Sequence, residues 1–237
     1  PSIERTGGLN QNNEPLHPLE VFLLNRAPVV LATQERFAIF KSAIQSTLQE
    51  RCALASIPCG IMGDLLDLDY SGISHFTLHG IDLDPETLSQ AAGYASSKGL
   101  ENKCQFAQCD AWNLDEDTRY NVIASNGLTI YEQDDEKVID LYRRFYNSLN
   151  HEGVLITSFL TPPPAPGFQT EWKLDQIDRE DAMMQKIIFS DILSTKWQTY
   201  RSEQSVIDQL KQAGFDEIEI HYDNAHIFPT AIAKKTK

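Results

Sequence analysis

Basic residues are scarce: 20 Lys and Arg stand against 34 Asp and Glu, a formal net charge of −14. Nucleic-acid backbones are bound through Lys and Arg that displace counterions, so this balance disfavours such a partner and favours a small molecule. Long apolar runs are missing as well. No stretch approaches the roughly 20 residues that cross a bilayer, and the apolar segment 21–32 is interrupted by Asn25-Arg26-Ala27-Pro28. The N-terminus has no signal-peptide pattern, which sets the expectation of a cytoplasmic protein without a membrane partner. The cysteines, Cys52, Cys59, Cys104 and Cys109, show no CxxC spacing. They are expected to be reduced core thiols and not zinc ligands. The six histidines form no cluster along the chain, so no metal site is expected. A Gly-x-Gly-x-x-Gly turn is also lacking, which argues against a nicotinamide-dependent dehydrogenase. There are no internal repeats, and the only low-complexity piece is the proline cluster at 161–167.

The 237 residues, 41% of them hydrophobic, suffice for one sizeable core. Residues 1–18 are polar and read as a flexible arm. Residues 19–50 carry apolar positions at helical intervals (Val29, Val30, Phe37, Phe40, Ile44) and read as a helical cap. From 51 onward short apolar strands alternate with helices. The strands are 52–57, 76–81, 104–108, 120–124 and 153–157. Asp84 as N-cap, Pro85 at the first helical position and Gly99 beyond the end delimit one helix. Val138, Leu141, Tyr142, Phe145 and Leu149 share one face of another, over 136–149. Strand–helix alternation implies a parallel sheet with helices on both faces.

After the fifth strand, Thr161-Pro-Pro-Pro-Ala-Pro-Gly167 can form neither helix interior nor sheet centre. Residues 161–200 read as a helical lid insertion. Over 171–200 they carry more apolar surface than a solvated loop should, and so are expected to cover something. A helix opening at Ser202 and closing at Gly214 precedes two strands, 215–221 and 226–233, expected to be antiparallel neighbours joined by the short link 222–225. The predicted fold is α/β: a three-layer sandwich with a seven-stranded, mostly parallel sheet and an antiparallel C-terminal strand, capped by N-terminal helices, in a domain spanning 51–237.

Two strand tips carry the chemical signal. The first strand breaks at Pro58-Cys59-Gly60, and the second ends in Asp82-Leu83-Asp84-Pro85. Glycine lets the backbone approach a ligand where a Cβ would intrude, and a carboxylate on the neighbouring strand can accept both ribose hydroxyls. Together they read as an adenosine site, although each has a plainer reading as a turn glycine or a cap.

The order and content of four segments resemble the class I S-adenosylmethionine-dependent methyltransferases, over roughly residues 51–235. They are Ser56-Ile-Pro58-Cys59-Gly60-Ile-Met62-Gly63, Gly80-Ile-Asp82-Leu-Asp84-Pro85, Phe106-Ala-Gln-Cys109-Asp110-Ala111-Trp112, and Asn121 through Asn126-Gly127-Leu128. The resemblance implies a Rossmann-like domain that binds S-adenosylmethionine, yields S-adenosylhomocysteine and methylates a small molecule. It assigns cofactor contacts to Ser56, Pro58, Cys59, Gly60, Gly63, Asp82, Leu83, Asp110, Ala111, Trp112 and Asn126. Asp82 is assigned to the ribose and Asp110, with the Ala111 amide, to the adenine. Tyr131, Phe159, Met183 and Trp197 are the expected substrate-side residues. No catalytic base is assigned, because Glu132, Asp134 and Asp135 also read as a helix cap. The chain departs from the family at Ser56, where an acid is usual, at Pro58 and Met62, where glycines are common, and at Asn121, a frequent aspartate. Those departures keep open a second reading, a catalytically silent methyltransferase-like binding or regulatory protein. Nothing in the sequence sets the oligomeric state.

Overall fold

A computed structural model describes residues 8–10, 12–115, 117–167, 170–195 and 199–236. Their seven strands are β1 (Cys52–Ser56), β2 (Phe76–Asp82), β3 (Cys104–Gln108), β4 (Tyr120–Ser125), β5 (Leu149–Ser158), β6 (Glu217–His221) and β7 (Thr230–Lys234), in one sheet of order β3-β2-β1-β4-β5-β7-β6. β1 to β5 pair in parallel, and β7 runs antiparallel between β5 and β6.

The helices are α1 (Pro18–Asn25), α2 (Pro28–Thr47), α3 (Gly63–Leu66), α4 (Pro85–Ser97), α5 (Asp135–Ser148), α6 (Arg179–Lys186) and α7 (Glu203–Ala213). Successive strand residues point to opposite faces, and this divides the core. Ala55, Ile123 and Leu155 pack with Val138, Tyr142 and Phe145 of α5 and Val206 and Leu210 of α7. Leu54, Val122 and Ile156 pack on the other face with Phe40 and Ile44 of α2, Leu65 of α3 and Ala91 and Ala95 of α4. The three-layer expectation therefore holds. α2 continues beyond the sheet, and its Ala32 joins Ile130, Leu160, Ile227 and Phe228 in a third cluster above the carboxyl ends of the strands.

Two boundaries differ from the sequence expectation for a local reason. β5 begins at Leu149, directly after α5, because a bulge over 150–153 lets Leu149 pair with Tyr120 before Val154 resumes with Val122. Glu152 has φ +63° there, and a Cβ on Gly153 would lie 2.8 Å from the Asn150 carbonyl oxygen. The link between β6 and β7 is longer than expected, running from 222 to 229. The buried Asp223 carboxylate accepts the amides of Ala225 (3.1 Å), Ile227 (3.1 Å) and Phe228 (2.7 Å), coiling the chain before Thr230.

The expected helical lid is only partly helical. Trp172 Nε1 donates to the Thr161 carbonyl (3.3 Å) and the Lys173 amide to the Ala225 carbonyl (3.0 Å), which pins that stretch outside a helix. Asp178 then caps α6 through the Glu180 and Asp181 amides, and a π-helical turn, Ile187–Ile192, follows. Met183, Met184, Ile187, Ile192 and Leu193 are exposed, whereas Trp172, Ile177 and Phe189 of the same stretch are partly buried.

Candidate active site

The carboxyl ends of β1, β2 and β4 and the middle of α2 enclose a cleft of about 590 Å³. At its floor β1 ends in Ser56, the Ile57–Pro58 peptide is cis, and Gly60 turns at φ +51° with no atom within 4 Å of where its Cβ would be. The turn is tied to the neighbouring strand: the Cys59 amide donates to the Ile81 carbonyl (2.9 Å) and the Gly60 amide to Asp82 Oδ2 (3.1 Å). Asp82 Oδ1 accepts the Asp84 amide (3.1 Å). A carboxylate has about four acceptor sites, so Asp82 keeps capacity toward the cleft.

Ser56 is not a lone hydroxyl. Its Oγ donates to Asp64 Oδ2 (2.8 Å), while Asp64 Oδ1 accepts the Leu65 amide (3.1 Å). Asp64 is buried on α3 and lines the cleft. Burial pushes its carboxyl up to about 6, against the downward pull of the Ser56 and Leu65 bonds. A carboxylate thus stands beside the β1 tip although β1 itself ends without one. The Cys59 thiol is pushed up to about 12, by burial first and then by the charges of Asp82 and Asp64; at neutral pH it is a protonated wall, not a nucleophile. On the β4 side, Ser158 Oγ donates to Asn126 Oδ1 (3.2 Å) and accepts the Gly127 amide (2.9 Å), which fixes Asn126 at the rim.

Ser56, Pro58, Cys59, Gly60, Gly63, Asp82 and Asn126 therefore come together around one cleft. Leu83 is 65% exposed beside it. Asp110, Ala111 and Trp112 do not line the cleft; they follow β3, where the Cys109 amide donates to the Asp82 carbonyl (3.0 Å). Asp110 caps a short turn through the Trp112 amide, and Trp112 Nε1 donates to the Lys137 carbonyl (3.0 Å) while its ring packs against the α5-side core.

The substrate-side expectations fare differently. Phe159 is 1% exposed and packs in the sheet core, so it is not a pocket wall. Its neighbour Leu160, just beyond β5 and buried in the third cluster, borders a mostly apolar pocket of about 480 Å³ with Val29, Trp172, Phe189, Tyr200 and Phe228. Met183 (67%) and Tyr131 (63%) are exposed and line neither space; Trp197 lies outside the described residues. The loop acids are engaged structurally: Asp134 caps α5 at the Glu136 amide, Glu132 accepts the Asp134 amide, and Asp135 accepts from Arg201 and Gln209. Among the described residues, no group of three or more His, Cys, Asp or Glu is placed to hold a metal ion.

A family model described as a methyltransferase domain matches residues 57–214. The chain belongs to the class I S-adenosylmethionine-dependent methyltransferase family. Among solved structures it is similar to a possible exported protein of Bordetella parapertussis, with 41% identity, TM-score 0.90, and coverage of 100% of this chain and 80% of that one. The fold is shared with a putative O-methyltransferase of Nostoc punctiforme (17% identity, TM-score 0.62, 98% of this chain and 65% of that one). It is shared also with an S-adenosylmethionine-dependent methyltransferase of Clostridium acetobutylicum (16%, TM-score 0.57, 85% and 90%). No curated protein matches the sequence.

The cleft of this methyltransferase fits S-adenosylmethionine by its donor set. It offers a strand-tip carboxylate with open acceptor capacity, a glycine turn clear of side chains, and a buried acid for a cationic group. Two of the departures from the family are explained locally. Ser56 is backed by Asp64, and Asn121 lies toward the opposite end of β4, where its Oδ1 accepts the Ala53 amide (2.9 Å). Sequence reasoning missed Asp64, Arg36 and Phe37 as lining residues. Asp64 had a usable signal, an acid directly after the turn glycine Gly63, whereas α2 reaches the cleft only through tertiary packing.

Proposed function

We propose that this methyltransferase transfers the methyl group of S-adenosylmethionine to a small-molecule acceptor, with Asp82 holding the cofactor ribose and the Asp64–Ser56 pair facing its ammonium. The observation that carries the reading is the adjacency of two unlike spaces. A cleft floored by the Gly60 turn and the Asp82 carboxylate lies beside the 480 Å³ mostly apolar pocket, with Arg36 of the cleft stacked on Phe228 of the pocket at 4.5 Å. When bound, the sulfonium cofactor supplies an activated methyl group together with its own leaving group. The protein's part is alignment, worth up to roughly 7–11 kcal/mol between well-placed reactants, and exclusion of water by Leu160, Trp172 and Phe228 on the acceptor side. Gly60 admits the ligand close to the backbone, and Asn126, held by Ser158, borders the space between the reactants. Leu83 and the Asp110-Ala111-Trp112 turn complete the proposed adenosine side beyond Asp82.

Calorimetric titration with S-adenosylmethionine and S-adenosylhomocysteine, with NAD as control, tests this. Micromolar affinity that Asp82→Ala weakens at least tenfold is expected; affinity for NAD alone, or for none of the three, sinks it. Silent binding was motivated by Ser56 and Asn121, and the partners of both side chains remove that motive. A cytoplasmic location belongs to the same proposal, supported by free cysteines at Cys52, Cys59, Cys104 and Cys109. Because the Bordetella relative is described as a possible exported protein, fractionation of the source cells is the check, and recovery outside the cytoplasm refutes it. No helix of the described residues is long and apolar enough to cross a membrane.

A further inference from the structure

The chain carries 34 acidic residues, and they line its recesses unevenly. Asp64, Asp67 and Asp82 border the cofactor cleft. Glu35, Asp178 and Asp181 border a smaller hollow of about 240 Å³ between the start of α2 and the 176–181 stretch. The 480 Å³ pocket beside the cleft has no Asp, Glu or His among its described lining residues. Lys186, the one charged side chain there, is turned to solvent: it is 69% exposed, with Nζ 3.5 Å from Asp191.

Ring surface takes the place of charge. Trp172, Phe189, Tyr200 and Phe228 reach the pocket from separate segments, and Pro163 and Pro164 add stiff apolar edges. Such walls meet a flat ring by stacking or edge-on. The volume of about 480 Å³ falls within the roughly 300–1,000 Å³ of small-molecule sites. The polar groups of the pocket can donate but bring no negative charge. Trp172 Nε1 is spent on the Thr161 carbonyl (3.3 Å) and Gln185 Oε1 on the Val29 amide (2.7 Å), so Gln185 has its N–H groups left to offer. Burial pushes the Tyr200 phenol up; at neutral pH its hydroxyl keeps a proton to donate, and Ser190 adds a second hydroxyl. These groups suit an oxygen on the ligand. A protonated amine would lose its water and find no carboxylate in return, which is costly.

We propose that this pocket takes an uncharged, oxygen-bearing aromatic molecule and turns away protonated amines. On the methyltransferase reading, on which this rests, the bound molecule is the methyl acceptor, because the pocket adjoins the cleft at the Arg36–Phe228 contact.

Calorimetric titration of the full chain with 2-naphthalenemethanol, 2-naphthylmethylamine and 2-naphthoate, with and without S-adenosylhomocysteine, tests this. The three probes share a ring system and are neutral, cationic and anionic at neutral pH. Wild type should bind the alcohol at least tenfold more tightly than either charged probe. Phe189→Ala should weaken the alcohol at least fivefold. Ser190→Asp places a carboxylate at an exposed position of the pocket and should narrow the preference for alcohol over amine at least threefold. Both variants should keep the far-UV circular dichroism of wild type and its S-adenosylhomocysteine affinity within twofold. Binding of none of the probes, a smaller preference for the alcohol in wild type, or smaller effects of the two substitutions overturns the proposal. Should wild type bind neither S-adenosylmethionine nor S-adenosylhomocysteine, the cofactor reading fails separately, and the probe titrations without nucleoside decide the pocket by the same ratios.

Discussion

Asp64 sits where electrostatics and stability pull in opposite directions. Its folded pKa of about 6 lies above the ordinary value of 3.8, so between those values the folded state holds a proton that the unfolded chain releases. Its contribution to stability is therefore most favourable below pH 3.8, is lost as pH rises toward 6, and stays a constant cost above that. Two units correspond to roughly 3 kcal/mol. Asp64→Asn is expected to stabilise the ligand-free protein by up to about that amount at pH 8, and by progressively less toward pH 4, in urea titrations at the two pH values. The same variant should bind S-adenosylhomocysteine at least tenfold more weakly at pH 8. A variant no more stable than wild type at pH 8 contradicts the uncompensated burial. Met62 shows a related compromise. It adopts φ +61°, a region that costs a non-glycine residue roughly 1–2 kcal/mol, yet its side chain is fully buried. Gly80 makes the room: a Cβ there would lie 2.8 Å from the Phe106 ring and 3.1 Å from the Met62 sulfur. Gly80→Ala is expected to lower stability by about 1–3 kcal/mol through overpacking, read as a lower midpoint in denaturant.

At the scale of elements, the cleft depends on segments that come from distant parts of the chain. Arg201, just before α7, ties the 128–132 loop to the start of α5 through three hydrogen bonds. Arg201→Ala removes a buried side chain and the donor to two carbonyls, while the mostly exposed Asp135 carboxylate keeps water and Gln209, and should cost about 1–3 kcal/mol. Thermal melting checks it, and a change below about 0.5 kcal/mol would show that water replaces the side chain. The insertion is held on its other side by α1 and α2, where Arg26 pairs with Asp181 (2.5 Å) and the Val29 amide donates to Gln185 (2.7 Å). The Arg26 side chain is 58% exposed, so the ion pair itself contributes little. Arg26→Ala is expected to leave the melting temperature nearly unchanged while speeding amide exchange in α6. Unaltered exchange would show that packing alone holds α6.

For the whole molecule, the charge of −14 makes self-repulsion a general destabilising term. Added salt, which shortens the screening length to about 10 Å at 0.1 M, should raise the melting temperature of wild type. A fall in melting temperature with salt would mean that specific ion pairs outweigh the net repulsion.

Sequence alone determined the sheet and about half of the residues that line the candidate cleft, because both rest on local rules. Alternating strand residues set the two core faces, Asp84 and Ser202 announced helix starts, and strand-tip residues such as Gly60 and Asp82 converge in any parallel sheet of this order. What depends on packing at long range was decided only by the tertiary structure. The bulge at 150–153 and the Asp223-centred loop follow from hydrogen bonds that no periodicity reports. Phe159 joins the core on the α5 and α7 side while Leu160 joins the third cluster, a division that only packing decides. Asp64 completes Ser56 only once α3 folds back on β1, and Arg36 becomes a cleft residue only because α2 crosses the carboxyl ends of the strands. Such placements come from packing between segments distant in the chain, which no local pattern in the sequence encodes.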